Sequence, residues 1–134
     1  MSLYSDKLNI LKKEISLIRK KKKKFNKYQK IMIDFINGVT LKATFTINDI
    51  IIELGHGDEL KGFKHIILKH YNSNDLETMD ILNMLDVFAK GIQIDNKSNP
   101  YLSAYMRVNN QKEYRLIIDK NSTPNFIVTS YRKT

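Results

Sequence analysis

Two histidines five residues apart are the groups in this chain best suited to moving protons near neutral pH. They lie in Gly62-Phe63-Lys64-His65-Ile66-Ile67-Leu68-Lys69-His70-Tyr71, a segment that also carries cations. Far away in sequence, Phe126-Ile127-Val128-Thr129-Ser130-Tyr131 places a hydroxyl and a phenol two residues apart. On a strand that spacing turns Thr129 and Tyr131 to the same face. Imidazole, ammonium, hydroxyl and phenol together suit metal-free cleavage of a phosphodiester. Imidazoles would carry the protons, and cations and hydroxyls would hold the charged oxygens.

Composition narrows the alternatives. The 134 residues suffice for one domain with a real core. No cysteine is present, which excludes disulfides and thiolate ligands. Three histidines without zinc-site spacing argue against a catalytic metal, so no metal and no cofactor is expected. No apolar run approaches the roughly 20 residues that cross a bilayer. The charged N-terminus lacks the apolar core of a secretory signal, so the expected location is the cytoplasm. The formal net charge is +9, and it is concentrated. Residues 1–30 hold eleven Lys/Arg and two Asp/Glu, whereas the remainder holds twelve of each. This pattern predicts a basic amphipathic helical arm over 1–37 and a neutral α+β domain over 38–134.

The elements that must position the site follow from periodicity. Residues 4–36 read as helix, with Leu8, Leu11, Ile15 and Ile18 as an apolar stripe and Ser5 or Asp6 as the cap. Six consecutive cations, Arg19 to Lys24, repel one another and can break that helix. Gly38 ends the pattern. Residues 39–45 alternate as a strand, and a short helix capped by Thr46 or Asn48 is expected through Leu54. Gly55-His56-Gly57-Asp58 reads as a loop and 62–71 as the histidine helix. Asn72 to Asp75 reads as a turn ending in a capping residue. Residues 76–90 read as one helix, with Met79, Leu82, Leu85 and Phe88/Ala89 buried. Segments 92–95, 101–108, 113–119 and 125–131 read as antiparallel strands. The fold class is therefore α+β: a long basic N-terminal helix, two to three further helices, then a four- to five-stranded antiparallel sheet.

A register argument places the polar side chains. A three-residue loop, Asn109-Asn110-Gln111, would pair Met106 with Tyr114 and align the apolar rows of both strands. The opposite face would then hold Tyr105 and Arg107 beside Arg115, joined by Thr129 and Tyr131. On that surface Arg115 could grip a phosphate with two parallel hydrogen bonds. The alternative is an ordinary solvent face on which Arg107 and Glu113 pair across strands. The histidine helix has its own alternative. At roughly 100° per residue, His70 falls on the apolar arc of Phe63, Ile66, Ile67 and Tyr71, and His65 lies nearly opposite, beside Lys69. A helical wheel thus keeps the two imidazoles apart, one solvated and one in the core. The cations Lys21, Lys22, Lys23 and Lys24 could neutralise phosphates in a sequence-blind way. They could equally meet anionic lipid or an acidic protein.

Taken together, residues 46–132 resemble the barnase–EndoU–colicin–RelE group of small ribonucleases. That group includes effector domains of contact-dependent inhibition toxins and similar domains in phage-associated proteins. The resemblance rests on the Gly62-Phe63-Lys64-His65-Ile66 helix start, on His70, on the antiparallel sheet after the helices, and on the closing Ile127-Val128-Thr129-Ser130-Tyr131. It implies a metal-independent endoribonuclease toxin with His65 or His70 as the general base or acid, and with Arg115, Thr129 and Tyr131 as its other catalytic residues. Substrate would be bound by Lys69, Arg107, Tyr105 and Lys21 to Lys24. The implied partners are RNA (tRNA, rRNA or mRNA) and a cognate antitoxin or immunity protein, without membrane insertion. The implied place of action is the cytoplasm, the chain's own or that of a target cell. Two other readings stay open on the residues. One is a non-catalytic nucleic-acid-binding module. The other is a helical interaction protein with the 8-11-15-18 stripe as its seam.

Overall fold

The computed structural model describes residues 2–21, 24–73, 75–96, 99–121 and 124–133. Within them the chain is α+β, with five helices and one six-stranded, mostly antiparallel sheet. The helices are α1 (Leu3–Lys21), α2 (Lys27–Ile36), α3 (Phe63–His70), α4 (Thr78–Leu82) and α5 (Asp86–Ala89). The strands are β1 (Ala43–Ile47), β2 (Ile50–Leu54), β3 (Ile92–Ile94), β4 (Leu102–Asn109), β5 (Lys112–Asp119) and β6 (Asn125–Lys133). They lie in the order β1-β2-β6-β5-β4-β3, and only the β2–β6 pair is parallel.

The first helix starts one residue earlier than expected, and its cap lies about one turn earlier. Ser2, not Ser5 or Asp6, supplies the cap: its hydroxyl accepts the Ser5 amide at 3.0 Å. The helical region divides where the cations crowd. α2 restarts with a capping box, in which Asn26 and Gln29 exchange side-chain and backbone hydrogen bonds of 2.9 Å each. The stripe of α1 is spent inside the protein. Leu11 and Ile15 are fully buried, and Leu8 packs against the same core. The expected arm is therefore packed into one core with the rest of the chain, and the 8-11-15-18 stripe is not a free seam.

Residues 50–54 form a strand rather than the expected short helix. Asn48 and Asp49 both adopt positive φ (51° and 66°), which makes a tight two-residue turn and folds β2 back on β1. That hairpin adds two strands to the four C-terminal ones. The expected helix over 76–90 is two short helices, α4 and α5, separated at Asn83 to Leu85.

The β4–β5 register also differs from expectation. The turn is two residues, Asn110 and Gln111, at φ of 52° and 65°. It pairs Met106 with Arg115 and Tyr105 with Leu116. Tyr105 and Arg107 therefore turn toward the helices. Tyr105 is buried with its ring centroid 4.8 Å from that of Phe88, and Arg107 pairs with Asp86 at 3.3 Å. Both faces of β4 hold apolar side chains, so alternation alone could not select the register. No helix among the described residues is long and apolar enough to cross a membrane.

Candidate active site

The site forms where the sheet opens along one edge of β6. β2 pairs with β6 only at Asn125 and Phe126. Beyond that point α3 lies beside the strand. A register shift between Ile117 and Ile118 takes effect here: Ile118 pairs with Ile127 and Ile117 with Thr129, leaving Val128 as an extra residue. The bulge reverses the alternation of the residues after it. Ile127 points into the core, whereas Thr129 and Tyr131 share the uncovered face with Ile117 and Arg115. The carbonyl of Val128 accepts the amide of Gly62 at 2.8 Å and fixes the start of α3 against it.

Loop 55–62 closes over the N-terminus of α3. The amides of Phe63 and Lys64, which a helix leaves without partners, donate to the carbonyls of Gly55 (3.0 Å) and His56 (2.8 Å). The loop is tight enough to demand glycine. A Cβ on Gly57 would sit 2.1 Å from the Lys61 carbonyl oxygen. Asp58 shapes the turn by accepting the amides of Leu60 and Lys61 at 2.8 and 3.1 Å, and these bonds hold its carboxyl below the usual carboxylate range.

This loop fixes the protonation pattern of His65. Nδ1 lies 3.0 Å from the carbonyl oxygen of Glu59, which can only accept, so Nδ1 carries the proton. Nε2 then faces the Thr129 hydroxyl at 3.0 Å and accepts from it when the ring is neutral. His70 is held differently. Its Nδ1 is 2.7 Å from Asp75 Oδ2, and the other carboxylate oxygen, Oδ1, accepts the Arg132 amide at 2.5 Å. Asp75 thus ties the ring to β6. Burial pushes the pKa of His70 below the ordinary histidine value. The hydrogen bond and charge of Asp75 oppose this, and the charges of His65 and Lys69 add to the lowering.

The wheel separates the two imidazoles, yet their rings meet. The centroids are 5.5 Å apart, edge to face. His70 also stacks on Tyr131 at 5.5 Å with an interplanar angle of 28°. Both side chains reach over the same strand, and that tertiary target overrides their angular separation on the helix. Among the described residues, neither His70 Nε2 nor the Tyr131 phenol has a hydrogen-bond partner, so both are available to a ligand.

The floor beside this cluster is β5. Arg115 sits directly opposite Tyr131, a spacing of about 5 Å between Cβ atoms in such pairs. Its guanidinium is engaged by Glu113, with Nε donating to Oε2 at 2.6 Å and Nη2 contacting the same oxygen. Lys69 is exposed on the last turn of α3, near enough for its charge to act on His70.

His65, His70, Thr129 and Tyr131 are therefore together, with Arg115 adjacent and Lys69 at the margin. Tyr105 and Arg107 are not part of this surface, because the two-residue turn puts them on the helix-covered face. The alternative Arg107–Glu113 pair does not form either, since each residue has another partner on its own face. Lys21, at the end of α1, and Lys24, just before α2, are exposed, and no hydrogen bond or ring contact links them to the cluster among the described residues. Lys22 and Lys23 lie outside the described residues.

Three contributors do not stand out in the sequence. The Glu59 carbonyl is backbone and carries no residue signature. Asp75 reads there only as a turn-ending cap, although a carboxylate five residues after a helical histidine is a usable signal. Glu113 takes a different partner because the strand register differs. Among the described residues, no group of three or more His, Asp or Glu is placed to hold a metal ion. No family model, no curated protein and no solved structure matches the chain.

Proposed function

We infer that this protein is a metal-independent endoribonuclease of the toxin type. The observation that carries the reading is the convergence of two imidazoles on the Thr129 hydroxyl and the Tyr131 phenol. Burial disfavours the charged form of His70 and Asp75 orients the ring, which suits it to take the proton from the 2′-hydroxyl of RNA. The freed 2′-oxygen bonds to the adjacent phosphorus as the bond to the 5′-oxygen breaks. His65, charged on Nε2, passes its proton to that departing oxygen. The products are a 2′,3′-cyclic phosphate and a 5′-hydroxyl. Thr129 and Tyr131 donate to the non-bridging oxygens. Arg115, released from Glu113, and Lys69 supply the positive charge that the crowded phosphorus demands. DNA lacks the attacking hydroxyl and is spared.

An enzyme of this kind calls for an inhibitor that covers the cluster in the cell that makes it. The direct test is incubation with total RNA in excess chelator, followed by chemical identification of the new ends. Cyclic phosphate and 5′-hydroxyl termini are expected. RNA left intact by folded protein overturns the reading, and a mobility shift without product moves it to a binding module.

A further inference from the structure

The loop that joins α3 to α4 carries Asp75, and both of its flanks are tied to α1. At the first flank the Lys7 ammonium donates to the carbonyls of Leu68 (3.0 Å) and Tyr71 (2.9 Å) and to the Ser73 hydroxyl (2.8 Å). At the second, Thr78 donates its hydroxyl proton to Glu14 Oε2 at 2.8 Å. The Tyr71 phenol, 2.8 Å from the same Thr78 oxygen, then donates to it. Tyr71 and Thr78 are both buried. Lys7 and Glu14 are two helical turns apart on one side of α1, so a single rigid rod about 10 Å long braces the loop at both ends. Within it, Leu76 donates to the His70 carbonyl and Asn72 to the Leu76 carbonyl, each at 2.9 Å.

A lysine needed only to balance the dipole of α3 could do so from solvent. Lys7 instead gives up hydration, which lowers its pKa, and takes three acceptors that all lie at or after the end of α3. Among the described residues of this braced loop, Asp75 is the one whose side chain bonds to the cluster. We propose that Lys7 and the Glu14–Thr78–Tyr71 relay are positioning residues, through which α1 holds the Asp75 carboxylate on His70. The kinetic consequence rests on the ribonuclease reading; the effect on the imidazole does not.

The titration of His70 separates this from plain stabilisation. The charged and titratable groups around its ring are Asp75 from the loop, His65 and Lys69 from α3, and Tyr131 from β6. Removing a cation raises a nearby histidine pKa, whereas loosening Asp75 lowers it. The full-length chain would be compared with Lys7→Met, Thr78→Val, Asp75→Asn and the Lys7→Met/Asp75→Asn double variant, following the His70 ring by NMR. Lys7→Met and Thr78→Val are expected to lower the midpoint toward that of Asp75→Asn, and the double variant to match Asp75→Asn. RNA turnover is expected to fall about tenfold at unchanged KM. A midpoint that stays or rises in Lys7→Met, or an additive double variant, overturns the proposal. If Lys7→Met does not fold, Thr78→Val at the opposite anchor decides by the same criterion. If the midpoints move as expected but the wild type cuts no RNA, the positioning role stands and the ribonuclease reading falls.

Discussion

Thr129 Oγ1 lies 3.0 Å from His65 Nε2, although 64 residues separate them in the chain. The Glu59 carbonyl fixes the far side of the imidazole, so the ring has one nitrogen left for chemistry, and that nitrogen points at the hydroxyl. Replacing threonine by valine keeps the shape and removes the donor. Thr129→Val should lower cleavage by about 10- to 100-fold, the loss expected for one donor to a developing charge. The measurement is single-turnover cleavage of a short RNA. A rate within twofold of wild type would remove Thr129 from the mechanism.

The depressed pKa of His70 has two consequences of defined sign. On the proposed ribonuclease reading His70 is the base and works unprotonated, so the acidic limb of the kcat/KM profile should lie below the ordinary histidine value of about 6.5. Between that value and the folded-state pKa, the unfolded chain binds more protons than the folded one, so stability rises with pH across that window. Stability should therefore be complete above about pH 6.5 and decline as pH falls toward the folded-state value. Urea unfolding at a series of pH values checks the second claim. An acidic limb above neutrality would contradict the first.

Arg115 is held by Glu113 before any phosphate arrives. On the proposed reading a phosphate must displace that carboxylate, which costs affinity. Glu113→Gln should free the guanidinium, lower KM by about three- to tenfold and steepen the salt dependence of binding. Arg115→Lys should lose more than its retained charge suggests, because an ammonium cannot grip with a planar fork. Equal activity of wild type and Arg115→Lys would mean that Arg115 contributes charge alone.

Gly62 has φ of +88°, and a Cβ there would lie 2.9 Å from Gly57 Cα. Backbone meets backbone, so the contact cannot relax by a rotamer change. Gly62→Ala should destabilise the protein by about 1–3 kcal/mol. It should also disturb the Gly62–Val128 bond that seats α3. Denaturant unfolding gives the first quantity, and an unshifted midpoint would show that the loop is slack.

Much of the fold can be read from the chain, because its signals are local. The Gly38 stop, the histidine helix and the four C-terminal strands rest on turn residues and periodicity, and the structure contains them. Two of the failures share a cause. Asn48-Asp49 and Asn110-Gln111 form turns with positive φ at residues other than glycine, and their lengths decide which side of a strand is wet. An error of one residue in the second turn is enough to put Tyr105 and Arg107 on the wrong face. The cluster is legible as a set of residue types, but its assembly is not. The meeting of His65 with His70 depends on where α3 lies against β6, and Asp75 acts through a loop whose shape no periodicity encodes. The long N-terminal segment looks detachable because charge dominates its composition, while Leu11 and Ile15 commit it to the core.

The one surplus residue at Val128 splits β6 into two halves that obey opposite parity. Upstream of it, odd-numbered Ile127 serves the interior; downstream, odd-numbered Thr129 and Tyr131 serve the outside. A chain lacking Val128 would run as a regular strand with Thr129 still opposite Ile117, so the hydroxyl and the phenol would keep their side. Such a chain would forfeit the carbonyl on which Gly62 is moored. The spare position thus serves the neighbouring helix rather than the strand that carries it. A three-nucleotide deletion there would leave the polar row intact but unseat the helix that carries the imidazoles, so on the proposed reading it would part folding from activity in a single step.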